Sequence, residues 1–248
     1  MITVPCKNML DRFHRSTFAG LGYNHTGSGD KKMTAEEKKG KTVQHFGYRV
    51  DEERLMWKEK SVRHIITNKW IDFRESEFQF PDGTSFSPYY SYTRKDYVVV
   101  VASDTEGRYI CVRQFRQGVM KVTTEFPAGG LDHSGCSEYG AGEYEEPLRA
   151  AKRELMEETG YGAGRITKLL SIPSNATISS NYAHIFLAEQ CTRAGNQNLD
   201  STEYLDVELH TPEEINNLIF SGNFEQSMHA LAWFMVQTRL KAKQLQQN

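Results

Sequence analysis

The run Tyr97-Val98-Val99-Val100-Val101-Ala102 constrains this chain more than any other segment. Consecutive valines are stiff at χ1, and a continuous apolar run of this length reads as a buried strand. Tyr109-Ile110-Cys111-Val112 follows after Asp104-Thr105-Glu106-Gly107, so the two runs form a hairpin of buried strands. Pro147 to Thr159 reads as a helix, with proline suited to the first turn and Gly160 just past the end. Ile185-Phe186-Leu187-Ala188 and Tyr204 to Leu209 are further strands. Thr211-Pro212-Glu213-Glu214 opens another helix with an N-cap and first-turn acids. A last helix runs from about Glu225 to Lys243, with Met228, Leu231, Ala232 and Met235 as its apolar face. Strands and helices in this order give α+β, or an α/β/α sandwich around a mixed β-sheet.

Upstream, Ser61 to Ile66 and Trp70 to Arg74 read as short strands, and Pro81-Asp82-Gly83 has the chemistry of a turn. This is an antiparallel N-terminal strand region. The division expected is an extension or arm over residues 1–56, a β region over 57–96 and a main domain over 97–248. The arm is polar and rich in breakers, as in Gly27-Ser28-Gly29-Asp30-Lys31-Lys32.

A formal net charge of -2 carries no basic footprint, which argues against nucleic acid as a partner. No stretch approaches the roughly 20 apolar residues of a membrane span, and the first residues lack a long apolar core. A cytoplasmic protein is expected; Lys7, Arg12 and Arg15 against the single Asp11 leave a mitochondrial presequence as the alternative. Cys6, Cys111, Cys136 and Cys191 lie far apart, and no CxxC pair marks a zinc site, so all are read as reduced thiols.

The chemistry sits in Arg153-Glu154-Leu155-Met156-Glu157-Glu158-Thr159-Gly160-Tyr161. Glu154, Glu157 and Glu158 fall at i, i+3 and i+4, on one face of a helix, while Leu148, Ala151 and Leu155 share an adjoining face that can dock on the sheet. Like charges at these spacings repel, and a divalent cation turns the repulsion into binding. Arg153, four residues before Glu157, can brace that carboxylate.

Glu145 lies eight residues before Arg153, and Glu125-Phe126-Pro127-Ala128-Gly129-Gly130-Leu131-Asp132 lies upstream. Together these resemble the Nudix box: Gly, five residues, Glu, seven residues, then Arg-Glu-apolar-any-Glu-Glu-any-Gly-apolar. The helical half matches without a gap from Glu145 to Tyr161. The pattern's leading glycine would fall on Tyr139; the glycine in the right context is Gly129 or Gly130, which makes His133 to Glu143 an insertion.

The resemblance runs from about Lys60 to Leu240 and points to the ADP-ribose pyrophosphatase-like branch, on Val112-Arg113-Gln114-Phe115-Arg116, the Trp70 segment and the Phe80-Pro81-Asp82-Gly83 turn. It implies a Nudix fold and a homodimer packed through the N-terminal strands. It implies Mg²⁺, with Mn²⁺ as substitute, held by Glu154 and Glu158 with help from Glu157 and the Ala128 carbonyl. Glu203, with Asp200 in reserve, or Glu157 would act as the catalytic base. Arg116 and Glu125 would bind substrate, and Trp70 and Trp57 would clamp the base. Another departure is Ile172-Pro173-Ser174-Asn175-Ala176-Thr177, where the branch commonly has a Ser-Pro-Gly-like turn. The expected reaction is hydrolysis of the pyrophosphate of a nucleoside diphosphate sugar, ADP-ribose first. GDP-mannose, a dinucleotide or a nucleoside triphosphate remain as alternative substrates, and a non-catalytic nucleotide-sugar-binding module as an alternative class.

Overall fold

The computed structural model describes residues 44–45, 48–49, 54–134 and 143–247. Chain contacts divide the molecule between Glu53 and Arg54. Of the first unit, Gln44–His45 pairs antiparallel with Tyr48–Arg49. Most of the expected arm over residues 1–56, Cys6, Cys136 and most of the insertion lie outside the described residues.

Besides the short ladder of His133–Ser134 with Glu143–Tyr144, the described residues of the second unit form two main sheets. The smaller is an antiparallel meander of β1 (Lys58–Thr67), β2 (Asp72–Gln79) and β3 (Ser85–Thr93). The Pro81–Gly83 turn forms, with Gly83 at φ 89°. Trp70 was expected inside a strand, but β2 starts only at Asp72. The Asn68 side chain accepts the backbone N–H groups of Trp70 (2.8 Å) and Ile71 (3.1 Å) and makes a turn there instead. Tyr92 N–H donates to Ile178 O at 2.8 Å and fastens this meander to the loop after β9 (Arg165–Pro173).

The larger sheet has eight strands. Its centre is β4 (Tyr97–Asp104), which pairs antiparallel with β5 (Tyr109–Arg116) and with the short β7 (Ala128–Gly130). On its other side β4 runs parallel to β10 (Tyr182–Arg193), so the sheet is mixed. Strand β6 (Lys121–Glu125) and β11 (Leu205–His210) flank β5, while β8 (Tyr161–Gly162) and β9 flank β10. The valine run is wholly buried because successive side chains serve opposite layers. Val98, Val100 and Ala102 pack with Ala150, Ala151 and Leu155 of α1 (Pro147–Thr159). Val99 and Val101 pack with Ile215 of α2 (Pro212–Phe220) and with Ala232, Trp233 and Val236 of α3 (Ser227–Gln247). This is the expected α/β/α sandwich.

Helix α1 has the expected limits. Glu146 caps its first turn by accepting from Arg149 N–H, and Gly160 ends it in the left-handed region at φ 73°. Helix α2 carries the Thr211–Glu214 capping box. Helix α3 bears out part of the expected face, since Ala232 is buried and Leu231 and Met235 pack against the core, but that face is not its centre. Its buried stripe is His229, Ala232, Trp233 and Val236, one residue further on than the expected face. The stripe takes in two polar residues because each finds a partner: Trp233 Nε1–H donates to Asn216 Oδ1 at 2.7 Å, and His229 accepts from the backbone of Phe126. Among the described residues, no helix is long and apolar enough to cross a membrane. Cys111 and Cys191 are free and buried.

Candidate active site

The acidic helix α1 lies against β7, and the contact is made by its carboxylates. Glu158 is 2% exposed and its Oε2 accepts the Ala128 N–H at 2.9 Å. Glu154, one turn earlier, is 5% exposed and its carboxylate lies against Gly129. A Cβ on residue 129 would fall on the Glu154 carboxylate. Gly129 is thus the glycine that lets the box close. Glu157, on the same helix, remains half-buried.

Arg153 organises this surface. Its Nη1 donates to Glu154 Oε1 at 2.8 Å and to Glu157 Oε2 at 2.9 Å. Its Nη2 donates to Glu145 Oε2 at 2.9 Å and to the Gly130 carbonyl at 3.0 Å. The expected brace on Glu157 is therefore present, and Glu145 is a further partner. Asp132 N–H donates to Glu145 Oε2 at 3.3 Å and Glu145 N–H to Asp132 O at 2.8 Å, so the insertion is closed at its base. The flanking His133–Ser134 and Glu143–Tyr144 pair antiparallel.

Burial pushes the Glu154 carboxyl up to about 7, against the pull of Arg153, and the charges of Glu203 and Glu157 add to the rise. Burial also raises Glu158 well above the ordinary carboxylate range; Ala128 N–H opposes this, while Glu154 and Glu203 reinforce it. Glu203, on the loop before β11, thus lies within electrostatic reach of both box carboxylates. Its N–H donates to Asp200 O (2.9 Å) and its Oε2 accepts from Asp200 N–H (3.0 Å), which makes the loop a closed turn.

Arg116, at the end of β5, grips Glu125 with two bonds, Nε to Oε1 at 2.8 Å and Nη2 to Oε2 at 2.6 Å. Glu125 was expected to bind substrate. It is fully buried, also accepts from the Thr123 hydroxyl and from Gln226 Nε2 (3.5 Å), and serves here as the counter-ion of Arg116. Trp57 is 46% exposed with edge contacts to Phe78 and Phe80; Trp70 is 61% exposed with Lys69 Nζ 4.6 Å from its ring centre. None of these ring contacts is with a box residue, so within one chain the two tryptophans stay on the meander. Sequence reasoning passed over Gln226 and His229 at the Glu125–Phe126 segment; the only sequence signal was the i, i+3, i+4, i+7 stripe of α3, read one residue early.

Among the described residues, no three His, Cys, Asp or Glu side chains stand close enough to hold a metal ion by themselves. The donor set still suits Mg²⁺, which keeps several waters and takes one or two carboxylates together with substrate phosphates. Glu154 and Glu158 supply two such carboxylates, enclosed and mutually repelling, and a hard cation bound there would let both stay ionised.

The chain is 29% identical over 195 residues to the ADP-ribose pyrophosphatase of Bacillus subtilis (strain 168), covering 77% of this chain and 97% of that protein. It is 24% identical over 193 residues to the methanol dehydrogenase activator of Bacillus methanolicus, covering 76% and 98%. A crystal structure of an ADP compounds hydrolase superposes with a TM-score of 0.63 at 21% identity, over 75% of this chain and 95% of that one, which shows the shared fold. The NUDIX domain model matches residues 93–232, a span that holds β4, the Gly129 cradle, the acidic helix and the Glu203 loop. More than half of the chain thus follows that model, and the protein belongs to the NUDIX family.

Proposed function

We infer that this protein hydrolyses the pyrophosphate of a nucleoside diphosphate sugar, with Mg²⁺ as its metal and ADP-ribose as the first candidate substrate. The observation that carries this reading is the enclosed pair Glu154 and Glu158, set one helical turn apart against the Ala128–Gly129 backbone. The substrate class rests on the Bacillus subtilis relative, an ADP-ribose pyrophosphatase aligned over nearly its whole length.

Glu154 and Glu158 hold the cation, with Glu157 and the Ala128 carbonyl as further ligands. When bound, a divalent cation neutralises the diphosphate and acidifies a water. Arg153 keeps Glu154 and Glu157 from moving apart. Arg116 uses Nε and Nη2 on Glu125; Nη1 has no protein partner among the described residues and is free for a phosphate oxygen. Glu203, or Glu157, takes the proton of the attacking water. Water adds across one P–O bond of the bridge, giving a nucleoside monophosphate and a sugar phosphate. Mn²⁺ substitutes for Mg²⁺. Trp57 and Trp70 contact the base from the meander of a second copy, in a homodimer.

The test is a nucleoside diphosphate sugar panel, with GDP-mannose, a dinucleotide and a triphosphate included, and products identified by mass. ADP-ribose is expected to yield AMP only when Mg²⁺ or Mn²⁺ is present. Glu158→Gln is expected to lower kcat by roughly a hundredfold or more, since a lost ligand removes several kcal/mol of charge stabilisation. Equal rates for the two proteins would overturn the metal assignment.

A further inference from the structure

The backbone from Glu125 to Gly129 is held from two sides. On one side are the box carboxylates of α1: Glu158 accepts Ala128 N–H, and Glu154 lies on Gly129. On the other side is α3. Its His229 is buried, and Nδ1 accepts the Phe126 N–H at 3.1 Å. Phe126 needs this acceptor. Strand β6 ends at Glu125 and β7 starts at Ala128, so residue 126 belongs to neither ladder. Pro127 offers no N–H, and its carbonyl accepts from Val100 at 2.9 Å. Phe126 is itself fully buried, and its ring meets Phe224 edge-on and lies parallel to the His229 imidazole. Enclosed in this way, its N–H needs a partner, and Nδ1 is that partner. Two residues later the same backbone presents the N–H that holds Glu158.

We propose that His229 is a positioning residue for the metal site: by holding the Phe126 N–H, its Nδ1 fixes the Ala128–Gly129 backbone against Glu158 and Glu154. This rests on the metal assignment made above. Groups bonded directly to a ligand usually cost about 10- to 100-fold in metal affinity or activity when lost, and His229, which acts through the Phe126–Ala128 backbone, is expected near the lower figure.

Three variants separate positioning from bulk. In His229→Asn the side-chain oxygen sits as many bonds from the backbone as Nδ1, so an acceptor is kept. His229→Gln carries its oxygen one bond too far, and His229→Leu has none. Mn²⁺ affinity, read by the loss of the free-ion electron paramagnetic resonance signal, is measured beside kcat at saturating Mg²⁺. The Leu and Gln variants are expected to bind Mn²⁺ roughly tenfold or more weakly, with kcat falling in step, and Asn to restore most of both. A merely structural histidine would lower the melting temperature in all three and leave the Mn²⁺ affinity of the folded protein unchanged; that result overturns the proposal, as does an Asn variant as weak as the other two. If Leu does not fold, Gln against Asn decides. If the wild type binds Mn²⁺ but hydrolyses nothing in the panel, the proposed function falls and the affinities still decide the role of His229. A wild type that binds no Mn²⁺ overturns both.

Discussion

Glu154 shows how a single side chain can tie metal binding to pH. Its carboxyl is raised to about 7 by burial, so below that value the metal-free fold holds a proton there. The sign follows directly. A carboxyl raised in the fold stabilises the metal-free protein at low pH, and that contribution is lost as pH rises through about 7. A cation needs the ionised form, so below pH 7 binding must expel the proton. Mg²⁺ affinity is therefore expected to rise about tenfold per pH unit up to about 7, and more steeply where Glu158 also loses a proton. The rise in melting temperature produced by a fixed Mg²⁺ concentration, measured across that range, checks this. A Mg²⁺-induced rise that is flat with pH would show that no proton leaves Glu154 when the cation binds. Beside Glu154, Gly129 supplies what no other residue can: the absence of a side chain where the carboxylate must lie.

At the scale of elements, the ends of α1 were legible because its punctuation is local. Pro147 and Gly160 act through their own backbones, and the structure starts and stops the helix there. Gly160 is held twice over, by its positive φ of 73° and by the Gly195 carbonyl, which would lie 2.5 Å from an added Cβ. Gly160→Ala is expected to destabilise by at least about 1–2 kcal/mol, the cost of a left-handed alanine. That is a drop of several degrees in thermal unfolding for a chain of this size. An unchanged melting temperature would mean that the helix end relaxes freely. The strands of the valine hairpin and the α2 cap were legible for the same reason. The centre of the α3 face was not, though Leu231, Ala232 and Met235 do reach the core. Its stripe is set by Trp233 reaching Asn216 and His229 reaching Phe126, partners far away in the chain. Hydropathy alone gives Met228 and Met235 more weight than a histidine, and so it rotates the helix by one residue. The start of β2 was missed in the same way, since Trp70 has strand propensity and the Asn68 turn overrides it. In the site, the placing of Glu154, Glu157 and Glu158 on one helix was legible from spacing, while the Glu203 loop was expected only from the family resemblance. The pairing of Arg116 with Glu125 was not, because it joins two strands that only the fold brings together.

At the scale of the whole molecule, all ten residues of β1 are exposed, Val62, Ile65 and Ile66 among them, with Trp57 and Phe86 close by in the meander. So much uncovered apolar side chain is what a second copy would bury. Sedimentation equilibrium is expected to give twice the 28.4 kDa of one chain, and Val62→Lys with Ile66→Lys to give the single mass. A monomeric wild type would remove the second copy from the base clamp. The central strand sets a different kind of limit. Because Val98 and Val100 serve one layer while Val99 and Val101 serve the other, the sandwich shares a single wall. Change in either layer is then expected to reach both: a swelling beneath Trp233 should press on the acidic helix across the sheet. Over generations, compensating substitutions should straddle this wall, and lesions in a helix remote from the chemistry should cost turnover as well as stability.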